Sequence, residues 1–272
     1  MASNLLGMRV DDILEAVFDD APDTLLVVNP AADVVEQLVE AATSYDDALP
    51  AIRVLADEGI VKSVMGDFIV ASNAADLIEE GTLSLRTTSD LTQGSLLLTE
   101  DRAIALVAAE DQVGGLTAEG DPFVGTAYEA YTADWEDAEE FRLRTPAITR
   151  VRTTLETEIS PEVEADFDAV LSSLETARGD GEGLDEVTIS LLVAAKNRVL
   201  LYDISKWGED VGIASKATFS RTKTKLEDMG LIDTEKVPID VGRPRLRLRL
   251  ADDRLQDADP AEIASVAQSV LA

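Results

Sequence analysis

Lys216, Ala217, Ser220, Arg221 and Thr224 recur at helical spacing in the stretch KATFSRTKTKLEDMGLI, which places them along one exposed side of a single helix. Their chemistry is that of base reading. An arginine can bond a guanine edge bidentately, while Ala, Ser and Thr are short enough to let a helix approach the major groove. Lys223 adds a cation to the same helix. Downstream, Leu246, Leu248 and Leu250 alternate with Arg245, Arg247 and Arg249, a strand with one apolar and one cationic face. The hairpin tip before it, Val241-Gly242-Arg243-Pro244, offers Arg243, which with Arg245 can reach phosphates or a minor groove. A solvated hairpin used for protein contacts has the same alternation.

The remaining composition removes chemistry. The 272 residues include neither His nor Cys. Disulfides, thiol nucleophiles, zinc fingers and imidazole bases are therefore excluded, together with Ser-His-Asp and Cys-His catalysis. No GxGxxG, GxxxxGK or CxxC occurs. Carboxylate pairs are everywhere among 54 acidic residues, so none stands out. No catalytic residue, metal or cofactor is expected.

Acid dominates, with 54 Asp and Glu against 23 Lys and Arg and a net charge of −31. Yet 46% of the residues are hydrophobic, enough to bury a core. Such a chain repels itself in dilute buffer, but at molar salt the Debye length shrinks to roughly 3 Å. The expected setting is the cytoplasm of a salt-accumulating halophile. No basic-plus-apolar leader opens the sequence, and the longest apolar run, Ala103 to Ala109, is too short for a bilayer, so no membrane partner is expected. The charge is uneven: residues 1–184 hold 10 basic and 39 acidic side chains, whereas 196–250 hold 12 basic and 8 acidic. A positive segment in so acidic a chain calls for a polyanion, and double-stranded DNA is the expected partner. Counterion release supplies little in concentrated salt, so base contacts must carry more of the affinity, which favours sequence-specific binding.

A second cluster of cations lies earlier. Arg142, Arg144, Arg150 and Arg152 fall within RLRTPAITRVR, and Arg86-Thr87-Thr88-Ser89 closes an expected strand, where open α/β folds place ligands. Guanidinium beside hydroxyl suits phosphate, so Arg86, Thr87, Thr88, Arg142 and Arg144 are candidates for an anionic effector, a phosphorylated sugar above all. The same arginines could pair with surrounding carboxylates or dock the second domain.

The elements that must position these residues can be read from periodicity. Val187–Val199 and Tyr202–Val211 are expected helices, Gly212-Ile213-Ala214 a tight turn, and Ser215 the cap of a third helix ending at Gly230. Strands at Leu231–Ile239 and Arg245–Leu250 complete a winged helix-turn-helix. Ahead of it, strands at 24–28, 51–56, 82–87, 95–99 and 103–108 interleave with helices over 8–18, 58–65, 68–80, one opened by Pro30 and one by Pro122, an α/β arrangement. A helix begins at Ser160-Pro161, and Val163, Phe167, Val170 and Leu174 form a heptad seam; Ile263, Val266, Ala267 and Val270 form an apolar stripe, a second seam, in a helix from Pro260. Either seam could join a homodimer, and the first equally fits a helix packed on its own domain. The expected division is 1–156 as an α/β sensor-like domain, 157–183 as linking helix and glycine-rich linker, and 184–272 as the winged domain.

KATFSRTKTKLEDMGLI resembles the recognition helix of winged-helix regulators, with a small polar start and an LxxxGLI close. SLLLTEDRAIALVA and FVGTAYEAYTADWEDA resemble parts of the sensor domain of TrmB-type sugar-responsive regulators, itself built like a phospholipase D domain. That enzyme's chemistry needs a His-x-Lys motif, and this chain has no His. Over its full length the sequence is similar to the TbsP (trmB suppressor protein) family of halophilic archaea, which implies a transcriptional regulator of central carbon metabolism. TrmB-type proteins place the winged helix first, so their sugar binding is not carried over. The alternative is an adaptor whose winged helix binds another regulator.

Overall fold

The computed structural model describes residues 5–89, 94–109, 112–178, 184–238 and 244–271. The chain divides into two compact units, residues 1–65 with 73–143, and 66–72 with 144–272. In sequence order the first unit is built from β1 (Leu5–Met8), α1 (Val10–Asp19), β2 (Thr24–Val28), α2 (Ala32–Ser44), β3 (Ala51–Ala56), α3 (Glu58–Val64), most of α4 (Phe68–Glu79), β4 (Leu83–Thr87), β5 (Ser95–Leu98), β6 (Arg102–Ala109), β7 (Gln112–Glu119), α5 (Pro122–Asp137) and β8 (Glu139–Glu140).

One mixed sheet runs β1-β7-β6-β5-β2-β3-β4-β8, with β2, β3 and β4 parallel and the other pairings antiparallel. Both faces of β2 are covered. Leu25 and Val27 are buried on one side, and Leu26 and Val28 on the other meet Leu98 and the aromatic side chains Tyr128, Tyr131 and Trp135 of α5. A continuous apolar run is what such a strand requires. The five expected strands are present. Sequence reading passed over β7, QVGGLTAE, because two glycines break its alternation; Gly115 is needed there, since a Cβ would sit 2.9 Å from the Ile104 side chain.

The second unit contains α6 (Ile148–Glu158), α7 (Pro161–Ser172), α8 (Glu186–Lys196), α9 (Leu201–Val211), α10 (Lys216–Asp228), β9 (Ile232–Val237), β10 (Arg245–Leu250), α11 (Asp253–Asp257) and α12 (Pro260–Leu271). Its core joins α6 and α7 to the winged helix: Val151, Leu155, Val163, Phe167 and Val170 pack with Leu191, Trp207, Phe219 and Ile263. The division therefore falls near residue 144, ahead of the expected boundary, because α6 and α7 bury their apolar stripes in the helix-turn-helix core. The start of α4 belongs here too. Asp67, almost fully buried, caps Ile69 N and accepts from the Thr176 hydroxyl, Ala177 N and Arg178 Nε. The expected linker at 179–183 lies outside the described residues.

Candidate nucleic-acid interface

Helix α9 ends at Gly212, which takes φ 101° in the left-handed region, and its N–H returns to the Gly208 carbonyl. That conformation is open to glycine at little cost and turns the chain sharply. Ser215 then caps α10, its Oγ accepting from Thr218 N. The two helices meet at Gly208: a Cβ there would lie 2.4 Å from the Phe219 ring, so only hydrogen allows the crossing. Phe219 and Leu226 are buried, and Trp207 is buried with its indole N–H donating to Thr154 Oγ1 at 3.0 Å. This anchoring leaves Ala217, Ser220, Arg221, Thr224 and Lys225 exposed along α10.

Charge pairing sorts the cations around that surface. Lys216 donates to Glu209, a contact that raises the lysine pKa and lowers that of the carboxyl. Lys206 pairs with Asp210, and Lys223 with Glu227 at 2.6 Å. Lys223 is thus turned toward β9, where Glu227 also accepts from the Thr234 hydroxyl, and away from the exposed side. Among the described residues, Arg221 makes one hydrogen bond, to Thr218 Oγ1 at 3.3 Å. Among the described residues, no carboxylate pairs with Arg221 or with Lys225. Lys225 lies one turn beyond Arg221, a spacing visible in the sequence but passed over.

The arginine row of the hairpin has a local explanation. In the β9–β10 register Arg247 stands opposite Glu235 and Arg249 opposite Asp233, and both pairs are ion-paired. Glu235 also receives Arg198 Nη2 at 3.0 Å, and these contacts hold both acids below the usual carboxylate range. The face expected to be wholly cationic is therefore cross-strand neutralised, the ordinary device of an antiparallel pair. Arg245 differs. It reaches Asp203 only at 3.5 Å, and its guanidinium lies 4.5 Å from the Tyr202 ring centre. Tyr202, 48% exposed, was not legible as part of this surface because the contact spans 43 residues. A cleft of about 310 Å³ between α9, α10 and β10 is lined by Tyr202, Lys216, Ser220, Pro244 and Arg245. Arg243 lies outside the described residues.

Family comparison follows the same two-part division. Residues 2–146 match the model of the TbsP-like transcriptional regulator N-terminal domain, and residues 147–268 match the TbsP-like C-terminal helix-turn-helix domain. The chain belongs to the TbsP-like transcriptional regulators. No functionally curated protein matches it in sequence. Among solved structures it has a distant likeness to TrmBL2, titled an archaeal chromatin protein with a novel mode of DNA binding. That likeness has 14% identity and a TM-score of 0.35, and it covers 51% of this chain and 54% of that one. The chain thus spans about half of the structure it matches.

The other expected sites of this TbsP-like chain are placed as follows. Arg86 Nη1 donates to the carbonyls of Trp135 and Glu136, closing the C-terminal end of α5. Thr87 and Thr88 line a cleft with Asp57, Glu58, Asp137 and Glu139, carboxylates that oppose an anion. Arg142 and Arg144 are exposed and fall in different compact units. Of the expected effector residues in the first unit, Thr87 and Thr88 share that cleft, while Arg86 is turned to the end of α5. Val163, Phe167 and Val170 are at most 1% exposed, Leu174 packs on them, and α7 lies against α12, where Ile263 is buried and Val266 partly so. The seams thus contribute Val163, Phe167, Val170, Ile263 and Ala267 to the core, with Leu174, Val266 and Val270 partly buried against it. No helix among the described residues is long and apolar enough to cross a membrane, and no His, Cys, Asp or Glu group there could hold a metal ion.

Proposed function

We propose that this chain is a sequence-specific regulator that binds double-stranded promoter DNA by laying α10 in the major groove. One observation carries the reading: α10 exposes Ala217, Ser220, Arg221 and Thr224 together, with Arg221 free of any carboxylate among the described residues while its neighbours Lys216 and Lys223 are paired. A helix used only for packing has no need of an exposed, unpaired guanidinium among short side chains. Arg245, stacked on Tyr202 beside the same helix, supplies a phosphate contact from the wing. The full-length similarity to TbsP-like regulators supports genes of central carbon metabolism as targets, and the acid excess suits a salt-rich cytoplasm.

A homodimer belongs to the same reading, since twofold symmetry matches paired half-sites. The burial of Val163, Phe167, Val170, Ile263 and Ala267 within the second unit supports an interface away from those residues. The test is fluorescence anisotropy of the full chain with genomic fragments in molar KCl, followed by light scattering of the complex. Saturable binding to a subset of fragments is expected. Equal binding to all fragments would overturn sequence specificity, and binding to none while another regulator is captured would favour the adaptor, a reading that the neutralised arginine row of the wing also suits.

A further inference from the structure

The face of the first sheet that carries α5 also carries two arginines. Arg53 of β3 stands in register with Leu26 of β2 and Ser84 of β4, and Arg86 lies one pleat further along β4. Side chains two residues apart share a face, so Arg53, Ser84 and Arg86 project to the same side. Trp135 lies between the two cations: the guanidinium carbons of Arg53 and Arg86 are 4.8 and 4.1 Å from its ring centre. Arg86 is oriented by main-chain carbonyls, which leave its charge unneutralised. Among the described residues, the Arg53 guanidinium has no hydrogen bond and no ion pair. Glu140 is opposite Arg86 on β8, yet it is exposed and pairs with neither arginine. The indole Nε1 of Trp135 is buried without a hydrogen-bond partner.

Apart from Arg142, which is exposed on the surface, the other cations of this unit are ion-paired. Arg102 is held by Asp20 and Glu119, Lys62 by Glu58, and Arg9 by Asp11. In a chain with 54 carboxylates, two guanidiniums left together on one indole repel each other, and apart from Arg86 Nη1 their donors are unspent among the described residues. A monoanion would neutralise one of them; a phosphate monoester dianion neutralises both. The forked donors of Arg53 and the Ser84 hydroxyl suit its tetrahedral oxygens.

We propose that Arg53, Ser84 and Arg86, around Trp135, bind the phosphate group of a small phosphorylated metabolite. This site is separate from the carboxylate-lined cleft at Thr87 and Thr88, and it does not depend on the DNA-binding reading. Calorimetry on the full chain without DNA tests it, with inorganic phosphate and glycerol phosphate as probes in KCl-matched buffer. Saturable binding is expected, accompanied by a change in tryptophan emission. Arg53→Gln should weaken it about tenfold or more, the value of a lost charged hydrogen bond. The Arg53 guanidinium has no hydrogen bond or ion pair among the described residues, so circular dichroism of that variant should match wild type. Arg53→Lys should recover part of the affinity by restoring charge without the fork. Absence of saturable binding by either probe would overturn the proposal, and so would unchanged affinity in a folded Arg53→Gln. Neither result bears on Arg221 and the promoter.

Discussion

Arg221 concentrates the base-reading prediction in one side chain. Its guanidinium is exposed and, among the described residues, spends one donor, on Thr218, so little is lost to the free protein when it turns to a guanine. Arg221→Ala should therefore cost about 1–3 kcal/mol against the preferred operator and less against others, read as a narrowing gap in anisotropy titrations. Lys223→Ala is the internal contrast: its ammonium is committed to Glu227, and operator affinity should change little. If the two variants behave alike, α10 does not read bases. A different residue governs stability against pH. Glu186, at the start of α8, is pushed above the ordinary 4.5 chiefly by burial. Its folded pKa exceeds the unfolded one, so the native state holds more protons across that window, and stability rises as pH falls from neutrality through it. Glu186→Gln should raise Tm at pH 7 and lose that rise. The gain should vanish by about pH 4, below the unfolded value. A variant whose Tm difference from wild type is constant with pH would refute this origin.

At the scale of elements, the helix crossing at Gly208 is the tightest requirement of the site. Gly208→Ala drives a methyl into the Phe219 ring, and α9 and α10 must separate or Phe219 must leave its rotamer. A loss of about 1–3 kcal/mol is expected in denaturant unfolding, with weakened DNA binding at temperatures where the chain is still folded. The seam of α7 gives a second test. Phe167 is fully buried among α6, α8 and α12 side chains, so Phe167→Asp should unfold the second unit, by about 3 kcal/mol or more, instead of splitting a folded dimer. Circular dichroism alongside light scattering separates those outcomes; a well-folded monomer would restore the seam as an interface. These cases show what the sequence could and could not say. The helix-turn-helix was legible because Gly212, Ser215 and Gly230 punctuate it and its apolar spacing is regular. The seam was legible as apolar but not by partner, since a heptad stripe looks the same against another chain or against α12. The arginine row misled for a related reason: Asp233 and Glu235 neutralise it across the ladder, and register is a property of two strands. Helix α6 was passed over because its arginines drew attention to charge, while Val151 and Leu155, the residues that place it, are only two.

For the whole molecule, charge decides how DNA is bound. A net −31 body approaching a polyanion is repelled at low ionic strength, where the Debye length is about 10 Å at 0.1 M, and that barrier collapses at molar salt. The opposing term is counterion release, whose slope in log affinity against log salt is about −0.9 per phosphate neutralised. On the DNA-facing unit most cations are already neutralised by the protein's own carboxylates: Lys216 by Glu209, Lys206 by Asp210, Arg247 by Glu235, Arg249 by Asp233. A cation that exchanges an internal carboxylate for a phosphate releases little. Affinity should therefore change little between dilute and molar KCl, because the small loss from counterion release is offset as self-repulsion is screened, and any net fall should have a slope smaller in magnitude than about 3. Anisotropy titrations of one operator across that range check it. A steep fall, with a slope of about −6 or beyond, would mean that the internal pairs open to expose a cationic surface, and the paired arrangement would then describe only the free protein.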